Sequence, residues 1–543
     1  MKKENILSQK AELIADWQTL KRTFIRPEND SSRSVLIKYM EQILFGLHDF
    51  LKTHVGFTEA ISLKDLSSKF TNTLISKNPE KKLADVITDL IEDIAPYAVN
   101  VASPYFVGHM TSAIPFFMVH LKGIVAALNQ NVVKMETSKV VSVVEKQVLA
   151  KIHRLIYHKS ATFYEEHVQN TDTTLGCFTE DGTLANITAL WVARNNLLAP
   201  QNGFKGVEKE GINAACQAYG IERCVVLVSR LGHYSLRKAG GVLGIGNQNI
   251  IAIDVNENNW INLDSLQRTI KEIQNDKAMI IAVVGIAGAT ETGTIDPLKE
   301  LARICAENRI HFHVDAAWGG PTLISKKYRH LLDGIEQADS VTIDGHKQFY
   351  MPTSCGMVYF KDPSIMDSVI YHANYIIRPG SVDLGIKSLS GSREANSLVL
   401  ASALKIMGTQ GYALLIEHGI ETARLFAEEI EKRPDFELIT PPVLSILTYR
   451  ICPSHIKQEL SKGSIDKKIS LNEKLNDINR TVQRLQREAG KSFVSRTTLK
   501  AENIDIVVLR CVIMNPMTDI KILCEILDEQ EEIYRLNFRG TGG

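Results

Sequence analysis

In the first hundred positions apolar residues recur at three- and four-residue spacing, over Ala11 to Thr23, Ser34 to Leu51 and Leu83 to Ile94. That period gathers them on one face of a helix, so this portion predicts helices. From about residue 116 the pattern changes. Short apolar runs at 224–228, 279–286, 310–314, 340–343 and 356–360 alternate with helical stretches. Such alternation predicts a mostly parallel sheet with helices on both faces, because parallel neighbours need a long crossover between them. Beyond about 401 helices come first. Strand-like runs from Leu444 to Ile451 and from Ile504 to Met514 then flank a stretch rich in Lys, Arg and Glu, Ser454 to Ala489, which reads as a helix with a solvated face.

The 543 residues exceed what one core serves, so two or three domains are expected. The pattern divides them into an N-terminal helical segment (1–115), a large α/β domain (116–400) and a smaller C-terminal α+β domain (401–543). No internal repeat and no long Pro/Gly/Ser linker interrupts this plan. Basic and acidic residues balance at 62 each, which leaves no electrostatic footprint for nucleic acid or an anionic membrane. No apolar run reaches the roughly 18 residues of a membrane span, and Met1-Lys2-Lys3-Glu4-Asn5 lacks the apolar core of a secretory signal. A cytoplasmic protein is expected. The eight cysteines contain no Cys-x-x-Cys pair and several fall inside apolar runs. They read as reduced core residues, with no metal site and no disulfide framework.

Candidate chemistry gathers at the ends of the apolar runs. Asp344-Gly345-His346-Lys347 follows the run at 340–343, and Lys347 lies 32 residues after Asp315, which ends His313-Val314-Asp315-Ala316-Ala317. An amine that can bond an aldehyde, with a carboxylate that can keep a ring nitrogen protonated, suits pyridoxal phosphate (PLP). Two pieces upstream fit the same purpose. Gly176 to Asn186 leads into a helix through small and hydroxyl residues, which expose backbone N–H groups to an anion. Ser229 to Ala239 places His233 on a strand-to-helix turn, where a flat ring can stack.

In this order the four motifs resemble the group II PLP-dependent amino-acid decarboxylases, over roughly residues 100 to 520. Pro104-Tyr105-Phe106-Val107-Gly108-His109 is similar to that family's segment at the mouth of the substrate site. Leu509-Arg510 and Asn515-Pro516-Met517-Thr518 are similar to its small-domain strand. Within the family, Asp344 to Tyr350 and His372-Ala373-Asn374-Tyr375 resemble the bacterial PLP-dependent aspartate 1-decarboxylases, which make β-alanine for pantothenate and coenzyme A.

The resemblance implies the PLP-dependent transferase (aspartate aminotransferase) type I fold, with a mostly parallel seven-stranded sheet. It also implies a homodimer with active sites at the subunit interface and the N-terminal segment packed across it. In this chain Lys347 would bond the cofactor's aldehyde, Asp315 would pair with its ring nitrogen, and His233 and Ala317 would cover its two faces. Thr179, Asp181, Gly182, Thr183 and His346 would complete the cofactor site. Tyr375 would be the general acid on a mobile loop, and His109, Thr111 and Ser112 would hold the substrate. Arg393 is a further candidate for the substrate's second carboxylate, or else a brace at the domain junction. The alternative is a glutamate decarboxylase or another group II amino-acid decarboxylase. A PLP-dependent carbon–carbon lyase is a more remote reading, since its sphingosine-phosphate type usually brings a membrane anchor. Joint presence of Lys347, Asp315 and His233 argues against a silent binding scaffold.

One departure matters. Glu180-Asp181 puts two carboxylates beside the expected phosphate, and each such repulsion at about 4 Å is on the order of 4 kcal/mol at an effective dielectric of ~20. Either both side chains turn away, leaving backbone amides toward the anion, or the loop is built differently.

Overall fold

The computed structural model of the chain describes residues 30–52, 55, 63–372, 383–501 and 504–538. Seven strands form the central sheet: β1 (Gly176–Thr179), β2 (Arg223–Ser229), β3 (Ile250–Ile253), β4 (Ala278–Ile286), β5 (His311–Asp315), β6 (Ser340–Asp344) and β7 (Gly356–Phe360). Their spatial order is β1-β7-β6-β5-β4-β2-β3. The pairs from β3 to β6 are parallel, and β7 is antiparallel to both β6 and β1. Only residues 345–355 join β6 to β7, too few for the helical crossover that a parallel pair needs.

Strand periodicity explains the two-sided core. On β2, Val225 and Leu227 face one apolar layer while Cys224, Val226 and Val228 face the other. Along β7, Met357 and Tyr359 alternate with Val358 and Phe360 in the same way. Helix α1 (Asp30–Leu51) opens the described chain, α2 (Phe116–Leu128) and α3 (Val140–Tyr157) precede the sheet, and α4 (Gly182–Leu197) packs on the second layer. Fully buried Ala185, Ala189 and Ala193 bring α4 close to the strands. The short α5 (Ser235–Val242) follows β2.

Helix α6 (Asn396–Lys432) ties the two cores together. Val399, Leu400, Tyr412 and Ile416 enter the core of the large sheet, whereas Ala423, Phe426 and Ile430 enter that of the small domain. There β8 (Phe436–Thr440), β9 (Ile446–Ile451), β10 (Ser495–Ala501) and β11 (Ile504–Val512) make an antiparallel sheet of order β10-β11-β9-β8. Helices α7 (Ile465–Ala489) and α8 (Ile520–Phe538) cover it.

The large-domain apolar runs coincide with β2, β4, β5, β6 and β7. Four strands, β1, β3, β8 and β10, were not anticipated. β1 and β3 have four residues each, too few to show a period, β8 is buried only at its two ends, and β10 is largely polar. The stretch 454–489 is two helices, broken at Gly463-Ser464, and its longer member is not wholly solvated. Asn472, Asn476, Asn479, Gln483 and Gln486 are buried on α7 and hydrogen-bonded. The helix expected over Ala11 to Thr23 lies outside the described residues.

Candidate active site

The polar groups of β5 and β6 share one face. β5 reads His-Phe-His-Val-Asp and β6 Ser-Val-Thr-Ile-Asp, so polar side chains alternate with the apolar Phe312, Val314, Val341 and Ile343. Paired in parallel, His313 beside Ser340 and Asp315 beside Thr342, the strands make a polar stripe under α4. It runs to the carboxyl edge of the sheet, where ligands of such sheets gather. There Asp315, Lys347, His233, Asp181, Gly182, Thr183, Ala317 and His346 line a single cavity of about 300 Å³, together with His109 from the sequence-predicted substrate segment.

Asp315 ends β5 with both carboxylate oxygens engaged. Oδ2 accepts from Asn186 Nδ2 at 2.9 Å and Oδ1 from the Ala317 amide at 3.2 Å. Each oxygen has a second lone pair for a donor in the cavity. Lys347 Nζ stands 3.1 Å from Asp344 Oδ2. The other oxygen of Asp344 is buried without a partner, and burial pushes this carboxyl's pKa up while Lys347 and His346 pull it down. Burial lowers the pKa of His233, with Asp315 opposing, and the Ser235 amide donates to His233 Nδ1 at 3.3 Å. A neutral imidazole held in this way offers a flat face.

Of the acidic pair at the start of α4, Glu180 turns aside as expected, whereas Asp181 stays at the helix N-terminus and lines the cavity. Glu180 accepts from Ser390 Oγ at 2.9 Å. Asp181 is the N-cap of α4, its Oδ1 accepting from the Leu184 amide at 2.9 Å, and Thr179 Oγ1 donates to the Asp181 carbonyl at 2.8 Å. First-turn amides of a helix have no partner within it, and those of Gly182 and Thr183 lie beside the cavity. A Cβ at Gly182 would come within 2.8 Å of Asp344 Oδ2, so a side chain there would displace the Asp344 carboxylate.

Arg510 was not singled out as a site residue by sequence. It reaches the cavity from β11 of the small domain, Nη1 donating to the Gly108 carbonyl and to Ser495 Oγ, each at 3.2 Å. Its Nε is buried without a partner, and burial lowers its pKa to about 10 against the pull of Glu291. Trp318, also lining the cavity, has its Nε1 buried and unpartnered. Thr111 and Ser112 do not reach the cavity, although Thr111 Oγ1 is 3.1 Å from His109 Nδ1. Thr179 likewise stands behind it, shaping the turn.

Arg393 departs from its expected place among substrate contacts. Its guanidinium is buried against Glu145 of α3, at 3.0 Å from Oε2 and 2.5 Å from Oε1, and does not line the cavity. An arginine paired on both arms in the interior braces α3 against the segment before α6. Tyr375 lies outside the described residues.

These groups fit PLP on structural grounds: an amine, an acceptor with a spare lone pair, a flat imidazole and a helix N-terminus meet in one cavity, beside a glycine whose Cβ would crowd Asp344. Fold and cavity together define a PLP-dependent enzyme.

Residues 67–452 match the pyridoxal-dependent decarboxylase conserved domain. The chain belongs to the pyridoxal-dependent decarboxylase family, and its chemistry is that of a PLP-dependent carboxy-lyase. It is 45% identical over 523 residues to the aspartate 1-decarboxylase of Aliivibrio fischeri, covering 96% of this chain and 95% of that one. It is 27% identical over 394 residues to the acidic amino acid decarboxylase GADL1 of Mus musculus, covering 71% and 67%. The crystal structure of mouse CSAD superposes with a TM-score of 0.79 at 22% identity, over 92% of this chain and 99% of that one, which bears on the fold.

Proposed function

We propose that this chain removes the α-carboxylate of L-aspartate, giving β-alanine and carbon dioxide. The observation that carries this reading is Arg510, a buried guanidinium in the same cavity as Lys347 and Asp315, which suits a substrate with a carboxylate to spare. The names of the Aliivibrio and mouse relatives point the same way.

In this reading Lys347 would hold the cofactor through its aldehyde. Asp315 would hold the proton on the ring nitrogen, His233 and Ala317 would cover the ring, and the amides of Gly182 and Thr183 would meet the phosphate. PLP bound in this way supplies an electron sink for the pair left on Cα when carbon dioxide departs. Which bond breaks would depend on how the substrate is held. Arg510, with His109 beside it, holds the side-chain carboxylate and so fixes that orientation. Asp344, 3.1 Å from Lys347 Nζ, is placed to take the proton that the Lys347 ammonium must lose before it can bond an aldehyde. Tyr375 then delivers a proton to Cα as general acid. The likeness of 371–380 to a catalytic loop supports that role.

The active form is proposed to be a cytoplasmic homodimer with sites at the interface, feeding pantothenate and coenzyme A synthesis. Exposed Phe116, Val119, Ile124 and Leu128 on α2, with Val140 and Val143 on α3, support a partner on this side of the molecule. The test is kcat/KM for aspartate, glutamate, cysteine sulfinate, 2,4-diaminobutyrate and an aromatic amino acid under one set of conditions. Aspartate should lead and glutamate trail by about 10- to 200-fold, the usual reach of one methylene. Preference for glutamate or for a non-acidic substrate would end the aspartate reading.

A further inference from the structure

Beneath the cavity a chain of buried hydrogen bonds ends on Asp315. His311 Nε2 is 2.8 Å from Ser340 Oγ, which is 2.9 Å from His313 Nδ1. His313 Nε2 is 3.1 Å from Asn186 Oδ1, and Asn186 Nδ2 is 2.9 Å from Asp315 Oδ2. His313 and Ser340 are inaccessible to solvent, and Asn186 is 1% exposed.

The chain admits one direction. A carboxylate only accepts, so Asn186 must turn its NH2 to Asp315 and its carbonyl oxygen to His313. That oxygen also only accepts, which places the proton of His313 on Nε2 and leaves Nδ1 to accept from the Ser340 hydroxyl. The hydroxyl oxygen in turn accepts from His311 Nε2–H. Burial lowers the pKa of His313 to about 4, consistent with a neutral ring of fixed tautomer. Asn186 has a second duty, since Nδ2 also donates to Ser235 Oγ at 3.0 Å, and the Ser235 amide holds His233.

We propose that Asn186, oriented by His313, Ser340 and His311, is a positioning residue that fixes Asp315 toward the ring nitrogen of PLP and couples it to His233. A flipped or missing amide would release Asp315 Oδ2 from its side-chain donor, and the ring nitrogen would lose a fixed partner. A network serving the fold alone would change stability and leave the state of that nitrogen untouched. The inference rests on the PLP reading of the cavity, and the following experiment separates the two.

Full-length protein is stripped and reloaded with PLP labelled with 15N in the ring, and its 15N chemical shift and dissociation constant are measured. The wild type, His313→Leu and Ser340→Ala are compared. The wild-type shift should be that of a protonated pyridine. In His313→Leu it should move toward the unprotonated value and the dissociation constant should rise by about 10-fold or more, as for other outer-shell partners of a bound group. Ser340→Ala, which touches neither the cofactor nor Asp315, should move the shift the same way and weaken binding by about 3- to 10-fold. If His313→Leu does not fold, Ser340→Ala decides alone. Variants that bind PLP with the wild-type shift would overturn the inference and leave the cofactor reading standing. A wild type that takes up no PLP would overturn both.

Discussion

Arg510 carries a charge into the interior, where burial already lowers its pKa to about 10 and Nε finds no partner. On the proposed reading such a cation, with Glu291 as its acidic neighbour, receives the anion that arrives with the substrate. Charge-assisted hydrogen bonds contribute about 1.5–3 kcal/mol, so Arg510→Gln should raise KM for aspartate by about 10- to 200-fold. Arg510→Lys should recover part of this, because the charge remains while the planar fork is lost. An unchanged KM in Arg510→Gln would move the carboxylate site elsewhere. Sequence made Lys347, Asp315 and His233 visible because each follows an apolar run. Arg510 and Asn186 carry no such mark: Arg510 arrives from another domain, and Asn186 sits inside an ordinary helical pattern. The alternation His-Phe-His-Val-Asp beside Ser-Val-Thr-Ile-Asp was the available signal for the network beneath Asp315. It marks two buried strands with polar side chains on a face that must satisfy them.

Among the elements, the long apolar runs were legible because a strand buried on both faces needs them. Helix α7 was read from its charges, which describe only its outer side. Its inner side completes the small sheet. The β9–β11 ladder extends to Tyr449 opposite Leu509, and beyond it asparagines take over. Asn479 accepts from the Ile451 amide at 2.8 Å and donates to the Ile451 carbonyl at 2.9 Å. Asn476 does the same for the Val507 amide and the Asp505 carbonyl. Asn479→Leu would leave a buried N–H and C=O unpaired at about 1–3 kcal/mol each, a loss of about 2–4 kcal/mol after some relaxation. Urea unfolding followed in the small domain should show it. A loss below about 0.5 kcal/mol, the range of ordinary surface changes, would mean that the ladder ends find other partners.

At the scale of the whole molecule, the cavity lies where the carboxyl edge of the large sheet meets β11, with α6 crossing between the two cores. The three-part plan could be read from the order of periodic segments. The meeting of Arg510 with Lys347 could not, because it depends on how the two sheets pack. Among the described residues this helix shows an apolar face: Phe116 is 78% exposed and Ile124 54%, on a helix otherwise packed against α6. A second copy on this face would cover them. Sedimentation should therefore give twice the 60.5 kDa chain mass, and a variant combining Phe116→Asp with Ile124→Asp should sediment as a single chain with most activity lost. A fully active single chain would refute the shared-site reading.

The central claim is α-decarboxylation of aspartate by a PLP-dependent carboxy-lyase. Purified protein with PLP and uniformly 13C-labelled L-aspartate, followed by NMR and carbon dioxide trapping, tests it most directly. The account predicts β-alanine and carbon dioxide in equal amounts, both abolished in Lys347→Ala. Alanine as the amine product, which would mean loss of the other carboxylate, or a wild type that releases no carbon dioxide from aspartate, would contradict it.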